Sequence, residues 1–244
     1  MSLTRAYHKW YSPRVGREME ILEFGDRGAR VIVFPTRDGR FFDYENWGLV
    51  EALGRKIDQG YLQLICVDSF DRYSLYADWM RPEDRMKRQL DYEAYIVQEV
   101  LPFSERRNPG SFLIAHGCSL GAYHAVNVAF KHPEQFGKVV ALSGRYDLTM
   151  AAGSFRSLFD DYYDELVYFN NPSHYVPNIE SAALLDQLRR MEITLVIGEQ
   201  DAFLQNNREF ADVLERKSIP HALHVWNGEA HRPRWWRQMV ALYL

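Results

Sequence analysis

Apolar positions along this chain fall into short runs separated by longer amphipathic stretches. Arg30–Phe34 (with Val31-Ile32-Val33-Phe34), Leu62–Val67, Lys138–Leu142 and Ile193–Ile197 are runs of the kind that fill central parallel strands. Between them lie segments with helical spacing or composition: Asn46–Asp58, Pro82–Leu101, Ala122–Lys131, Ser181–Arg190, Leu204–Lys217 and Pro233–Leu244. In Pro82–Leu101 the proline suits a first turn and Glu83 and Asp84 favour the helix N-terminus, while Leu90, Tyr95, Ile96, Val97, Val100 and Leu101 supply an apolar face. Tyr7–Ser12 and Glu18–Phe24, separated by the turn-prone Pro13–Gly16, predict an opening antiparallel pair, and His221–Trp226 a last strand. Strand and helix signals alternate along the rest of the chain. That order predicts an α/β fold, with a mostly parallel central sheet, helices on both faces and right-handed crossovers.

One stretch breaks the rhythm. Arg145–Asn178, after the sixth predicted strand, is longer than a simple connection and holds Phe155, Phe159, Tyr162, Tyr163, Tyr168, Phe169 and Tyr175. It is expected to be a lid-like excursion or pocket wall, a packed segment with its own small core, or both. No repeat, low-complexity tract or linker divides the chain, so residues 1–244 are expected to form a single domain.

Composition narrows the class. With 47% hydrophobic and 25% charged residues the chain reads as an ordinary globular protein. A net charge of −4 and the lack of any basic block argue against a nucleic-acid partner. Met1–Glu20 is polar and charged throughout, so no signal peptide is expected, and no run approaches a membrane span. The two cysteines, Cys66 and Cys118, read as packing residues in a reducing compartment. The expectation is a cytoplasmic monomer or small homo-oligomer with no membrane partner.

The chemistry begins at Gly117-Cys118-Ser119-Leu120-Gly121, a Gly-x-Ser-x-Gly pattern. Ser111–His116 before it has strand character and Ala122–Lys131 after it helix-forming composition, which is the setting a nucleophile elbow of an α/β-hydrolase requires. The glycines permit a tight turn, and the serine at its apex is exposed above a helix N-terminus. Cys118 is a weak rival, because its position points away from the apex.

A serine hydroxyl needs a base within hydrogen-bond reach and a carboxylate to orient that base. In α/β-hydrolases the chain order is serine, acid, histidine. Asp201, following the Ile193–Ile197 strand, is the favoured acid; Glu199 beside it and Asp147 after Lys138–Leu142 are its rivals. His231, after the last strand, is the candidate base among eight histidines. His221 and His224 point to opposite faces of a strand, which argues against a shared metal. His132 reads as a helix cap, His124 lies a turn into the elbow helix, and His116 precedes the serine and is expected at most to line the pocket floor. His8 and His174 have no supporting context. Two backbone N–H groups must face the developing oxyanion. Leu120 is expected to give one; Thr36, Arg37 or Asp38 gives the other, since Pro35 has none, and Arg37 is the choice.

The chain resembles the esterase family of the α/β-hydrolases that includes esterase D (S-formylglutathione hydrolase), feruloyl esterases and bacterial mycolyltransferases. The resemblance rests on Gly117–Gly121, Ser143-Gly144, Gly198–Asp201, His231 with Trp235 and Trp236, and the Trp47 segment. It implies an α/β-hydrolase fold, no cofactor, and a triad at Ser119, Asp201 and His231 that cleaves a small-molecule ester. Many members carry His-Gly or Asp-Gly where this chain has Pro35-Thr36-Arg37, a departure that bears on the acyl pocket. An acyltransferase, a thioesterase or peptidase, and a non-catalytic binding module are the alternatives. Arg37, Arg40, Arg72, Arg145 and Arg232 all fall in loops expected at the site. They either pair with neighbouring aspartates or hold an anionic substrate group.

Overall fold

The structure, a computed structural model, describes residues 4–244. Its centre is an eight-stranded sheet: β1 (Arg5–Ser12), β2 (Arg17–Phe24), β3 (Ala29–Phe34), β4 (Leu62–Val67), β5 (Leu113–Cys118), β6 (Lys138–Leu142), β7 (Glu192–Gly198) and β8 (Ala222–Trp226). The strand order is β1-β2-β4-β3-β5-β6-β7-β8. β1 pairs antiparallel with β2, and β2 with β4; every pair from β4 through β3 to β8 is parallel. The predicted antiparallel opening and parallel remainder are both present.

Period-two alternation in the buried strands divides the core between two faces. Val31, Val33, Leu64 and Cys66 point to one face, where they pack with Leu49, Leu53 and Ile57 of α2 (Leu49–Asp58) and with Trp236, Met239 and Val240 of α10 (Pro233–Tyr243). Ile32, Phe34, Ile65 and Ala115 point to the other. There they meet α3 (Pro82–Tyr95), α5 (Leu120–Lys131), α8 (Ala182–Arg190) and α9 (Leu204–Arg216). Helices cover both faces, as the alternation predicts.

Two helices differ from their sequence reading. The segment read as Asn46–Asp58 is two pieces, α1 (Asp43–Asn46) and α2, because Gly48 at φ 74° takes the left-handed conformation between them. The helix read as Pro82–Leu101 runs on to Arg107. Beyond α3 it widens into a π turn over Ile96–Val100, with the Leu101 N–H reaching back to the Ile96 carbonyl, and resumes as α4 (Leu101–Arg107). Pro102 has no N–H for the Gln98 carbonyl, and its ring would strike that carbonyl in a regular helix; the wider turn relieves both. The same turn presents Glu99 to β1, where it accepts from Trp10 Nε1 at 2.8 Å and Ser12 Oγ at 2.7 Å.

The Arg145–Asn178 excursion contains α6 (Glu165–Phe169), α7 (Pro172–Tyr175) and a 3-10 turn, Val176–Asn178. Leu148, Leu158, Phe159 and Val167 from it pack with Leu75, Met86, Leu120 and Tyr123 as a small separate cluster. The sheet topology sets the position of the site. From β3 the chain goes to β4 on one side, then crosses to β5 on the other, opening a crevice at the carboxyl ends of β3 and β5.

Candidate active site

Ser119 sits where β5 turns into α5, at φ 57° and ψ −121°, a conformation that L-residues rarely adopt. The glycines around it are fixed by close approach. A Cβ on Gly117 would lie 2.2 Å from the Gly121 backbone, and one on Gly121 would lie 2.3 Å from the Phe34 carbonyl oxygen. The turn therefore presses α5 against β3. Ser119 is half-buried, with its hydroxyl in the crevice.

The other two predicted residues arrive from far along the chain. Ser119 Oγ donates to His231 Nε2 at 2.9 Å, and His231 Nδ1 donates to Asp201 Oδ2 at 2.7 Å. Asp201 follows β7, is buried, and accepts the Phe203 N–H at 3.0 Å through its second oxygen. His231 follows β8. The loops carrying Asp201 and His231 are joined: Glu199 N–H donates to the Trp226 carbonyl and Gln200 N–H to the Gly228 carbonyl. A Cβ on Gly198 would lie 2.1 Å from the Glu229 oxygen. From the other side, Trp236 Nε1 donates to Ser143 Oγ at 3.1 Å, and Ser143 is next to the His231 loop at Ala230. Trp236, Phe203 and Phe155 surround the imidazole, with ring centroids 5.6, 6.3 and 6.4 Å away.

The rival residues lie elsewhere. Asp147 accepts from Thr149 and from His174 Nε2 at 3.0 Å, and Glu199 is exposed. His116 is not on the pocket floor. It is fully buried in β5, donating through Nδ1 to the Val140 carbonyl at 2.7 Å and accepting the Tyr44 hydroxyl at 3.0 Å, and burial lowers its pKa from 6.5 to about 4. His132 caps α5 and bonds Glu93. Cys118 is buried, and burial pushes its thiol well above the ordinary range, so it holds no thiolate to compete with the serine.

A pocket of about 290 Å³ opens over Ser119. Trp47, Tyr76, Phe155, Phe203 and Trp236 give it aromatic walls, and Thr36, Arg37 and Leu120 also line it. Leu120 begins α5, so its N–H has no intrahelical partner. Of the three candidates on the β3 loop, Asp38 is excluded as an oxyanion donor, since its N–H already donates to Asp71 Oδ2 at 2.9 Å. Thr36 and Arg37 stay available, both at the pocket wall.

Asp71 belongs to no motif that would mark it in the sequence. It is buried, and its other oxygen accepts His124 Nε2 at 3.2 Å, while Gln89 donates to His124 Nδ1 at 3.3 Å. A chain of contacts thus ties the elbow helix to the loop after β3. Asp38, at φ 53°, is held in a left-handed turn by it. Phe203 and Tyr76 were likewise unmarked; nothing in their local sequence signals a pocket wall.

No curated protein matches the chain in sequence. Among solved structures it is similar to a ferulic acid esterase, at 17% identity and TM-score 0.77, over 100% of this chain and 97% of that one. It is similar to an S-formylglutathione hydrolase from Agrobacterium tumefaciens, at 15% identity and TM-score 0.74, over 99% and 95% of the two chains. A fluorophosphonate-binding serine hydrolase F from Staphylococcus aureus matches at 16% identity and TM-score 0.69, over 99% and 96%. At these identities the likeness speaks for the α/β-hydrolase fold. A family model described as "Putative esterase" matches residues 22–243. The chain belongs to that family, the carboxylic-ester hydrolases of α/β-hydrolase fold.

Proposed function

We propose that the protein cleaves a small-molecule carboxylic ester through an acyl-enzyme on Ser119, with His231 as general base and acid and Asp201 as its orienting carboxylate. The observation that carries this is the continuous hydrogen-bonded line from Ser119 Oγ through His231 to Asp201, at 2.9 and 2.7 Å. As Oγ attacks the ester carbonyl, its proton passes to His231 Nε2, and Asp201 stabilises the imidazolium so formed. The N–H groups of Leu120 and Arg37 face the oxyanion of the tetrahedral intermediate. The imidazolium then protonates the departing alcohol. Water, deprotonated by His231, attacks the acyl carbonyl, and collapse returns the proton to Ser119 as the acid leaves.

Aromatic walls on a pocket of about 290 Å³ favour compact acyl or alcohol groups with flat or apolar surfaces. Phe155 makes part of the Arg145–Asn178 excursion a pocket wall in this reading. A fluorophosphonate label followed by peptide mapping tests the nucleophile: modification is expected at Ser119 and absent from Ser119→Ala. The same variant is expected to lose several orders of magnitude in kcat on p-nitrophenyl esters. Full turnover by Ser119→Ala, or labelling at another residue, overturns the proposal. Adding acceptor alcohols and measuring product partition separates hydrolysis from acyl transfer.

A further inference from the structure

Beyond the reaction type, the distribution of charge in the pocket bears on the substrate. The lining contains Arg37, Arg145 and Arg232 and no aspartate or glutamate. Arginines at the same end of the sheet but outside that lining have carboxylate partners. Arg40 is held by Glu20 at 2.6 Å and Asp68 at 2.8 Å, and Arg72 lies 3.7 Å from Asp38. At the rim, the exposed Arg232 has Glu229 at 3.7 Å.

The remaining two differ from these and from each other. Arg145 is buried and donates to the backbone carbonyls of Asp147, Leu148, Met150 and Arg156. Those bonds come from Nε and Nη2, and no carboxylate lies within 4 Å of it among the described residues. It fixes the start of the excursion and places a positive charge with no carboxylate in direct contact behind the pocket wall, 5.5 Å over the Phe203 ring. Arg37 is exposed, with its guanidinium 5.3 Å over the Tyr76 ring, and has no salt-bridge partner among the described residues. No carboxylate engages its N–H donors among the described residues, and a guanidinium can offer a pair of such donors to a planar or tetrahedral oxyanion.

We infer that the ester substrate carries a carboxylate or phosphate group, gripped by the Arg37 guanidinium and favoured by the charge of Arg145. The inference rests on the catalytic reading of Ser119, His231 and Asp201 and names the substrate class for that site. A charge-assisted fork of this kind supports a preference of about tenfold or more in kcat/KM over a neutral isostere. Arg37 acts here as a specificity residue through its side chain, apart from the backbone N–H assigned to the oxyanion.

Matched esters followed by pH-stat test it. Monomethyl adipate is compared with methyl hexanoate for an anion on the acyl side; 4-acetoxybutanoate and 4-acetoxybutyl phosphate are compared with butyl acetate for carboxylate and phosphate on the alcohol side. At least one anionic member is expected to be preferred by about tenfold or more at low salt, with the preference shrinking at high salt. Within Arg37→Met the ratio is expected to collapse, and within Arg37→Lys to survive in part. Using ratios within each variant removes any general loss of turnover. Protection provides a second arm: adipate or butyl phosphate should slow fluorophosphonate labelling of Ser119 in the wild type but not in Arg37→Met, and butanol should slow neither. Labelling at Ser119 with no anionic preference and no protection, or with either effect undiminished in Arg37→Met, overturns the anion site while leaving the nucleophile in place. Failure to label Ser119 overturns the catalytic reading itself.

Discussion

At the residue scale, the choice of acid is the sharpest question the site poses. Asp201 and Asp147 both follow strands near the crevice, but only Asp201 reaches His231, while Asp147 is engaged by Thr149 and His174. Asp201→Asn is expected to lower kcat about 10³- to 10⁴-fold, by holding the imidazole in the wrong tautomer. Asp147→Asn is expected to keep ester turnover while loosening the start of the excursion. Steady-state kinetics on the two variants decide between them; comparable losses in both would contradict the assignment. Ser119 and His231 were legible because an elbow motif and a chain order mark them locally. Asp71 was not legible, since its partners Asp38 and His124 lie 33 and 53 positions away and no spacing rule joins them.

At the element scale, the β3 loop and the elbow behave as one assembly, through the Gly121 contact and through Asp71. Gly121→Ala would place a methyl 2.3 Å from the Phe34 oxygen, and is expected to destabilise the fold by about 3 kcal/mol in urea unfolding, with loss of activity. Asp71→Ala removes the acceptor that holds the Asp38 N–H, so it is expected to lower kcat about 10- to 100-fold with little change in KM, since in the proposed mechanism the loop it supports faces charge that develops only in the transition state. A rise in KM with kcat unchanged would show that the loop acts in substrate binding instead. Strands and most helices were readable from periodicity. The helix from Pro82 was read six residues short because Pro102 is an ordinary stop signal, and only the π turn, stabilised by Glu99 reaching Trp10 and Ser12, carries the helix past it. Gly48 likewise breaks a helix whose composition alone permits continuity.

At the scale of the whole molecule, the central strand β5 carries a titratable group that links folding to pH. Burial holds His116 at about 4 against an ordinary 6.5, so between those values the unfolded chain binds a proton that the folded chain refuses. This histidine's contribution to stability is therefore full above about pH 6.5 and falls by about 3 kcal/mol as pH drops towards 4. His116→Asn has no such proton to gain. Urea unfolding from pH 7.5 to 4.5 should show the wild type losing its advantage over the variant as acidity rises; a constant difference would mean the folded state accepts the proton after all. Alternation of strand and helix signals made a parallel sheet readable, whereas the position of the crevice depends on strand order, which arises from which faces bury together. The contact between Gly198 and the Glu229 backbone fits the loop after β7 to the loop after β8. Exchanging either of these segments alone with that of a relative would separate Asp201 from His231, so the two would have to be transplanted together as one cassette.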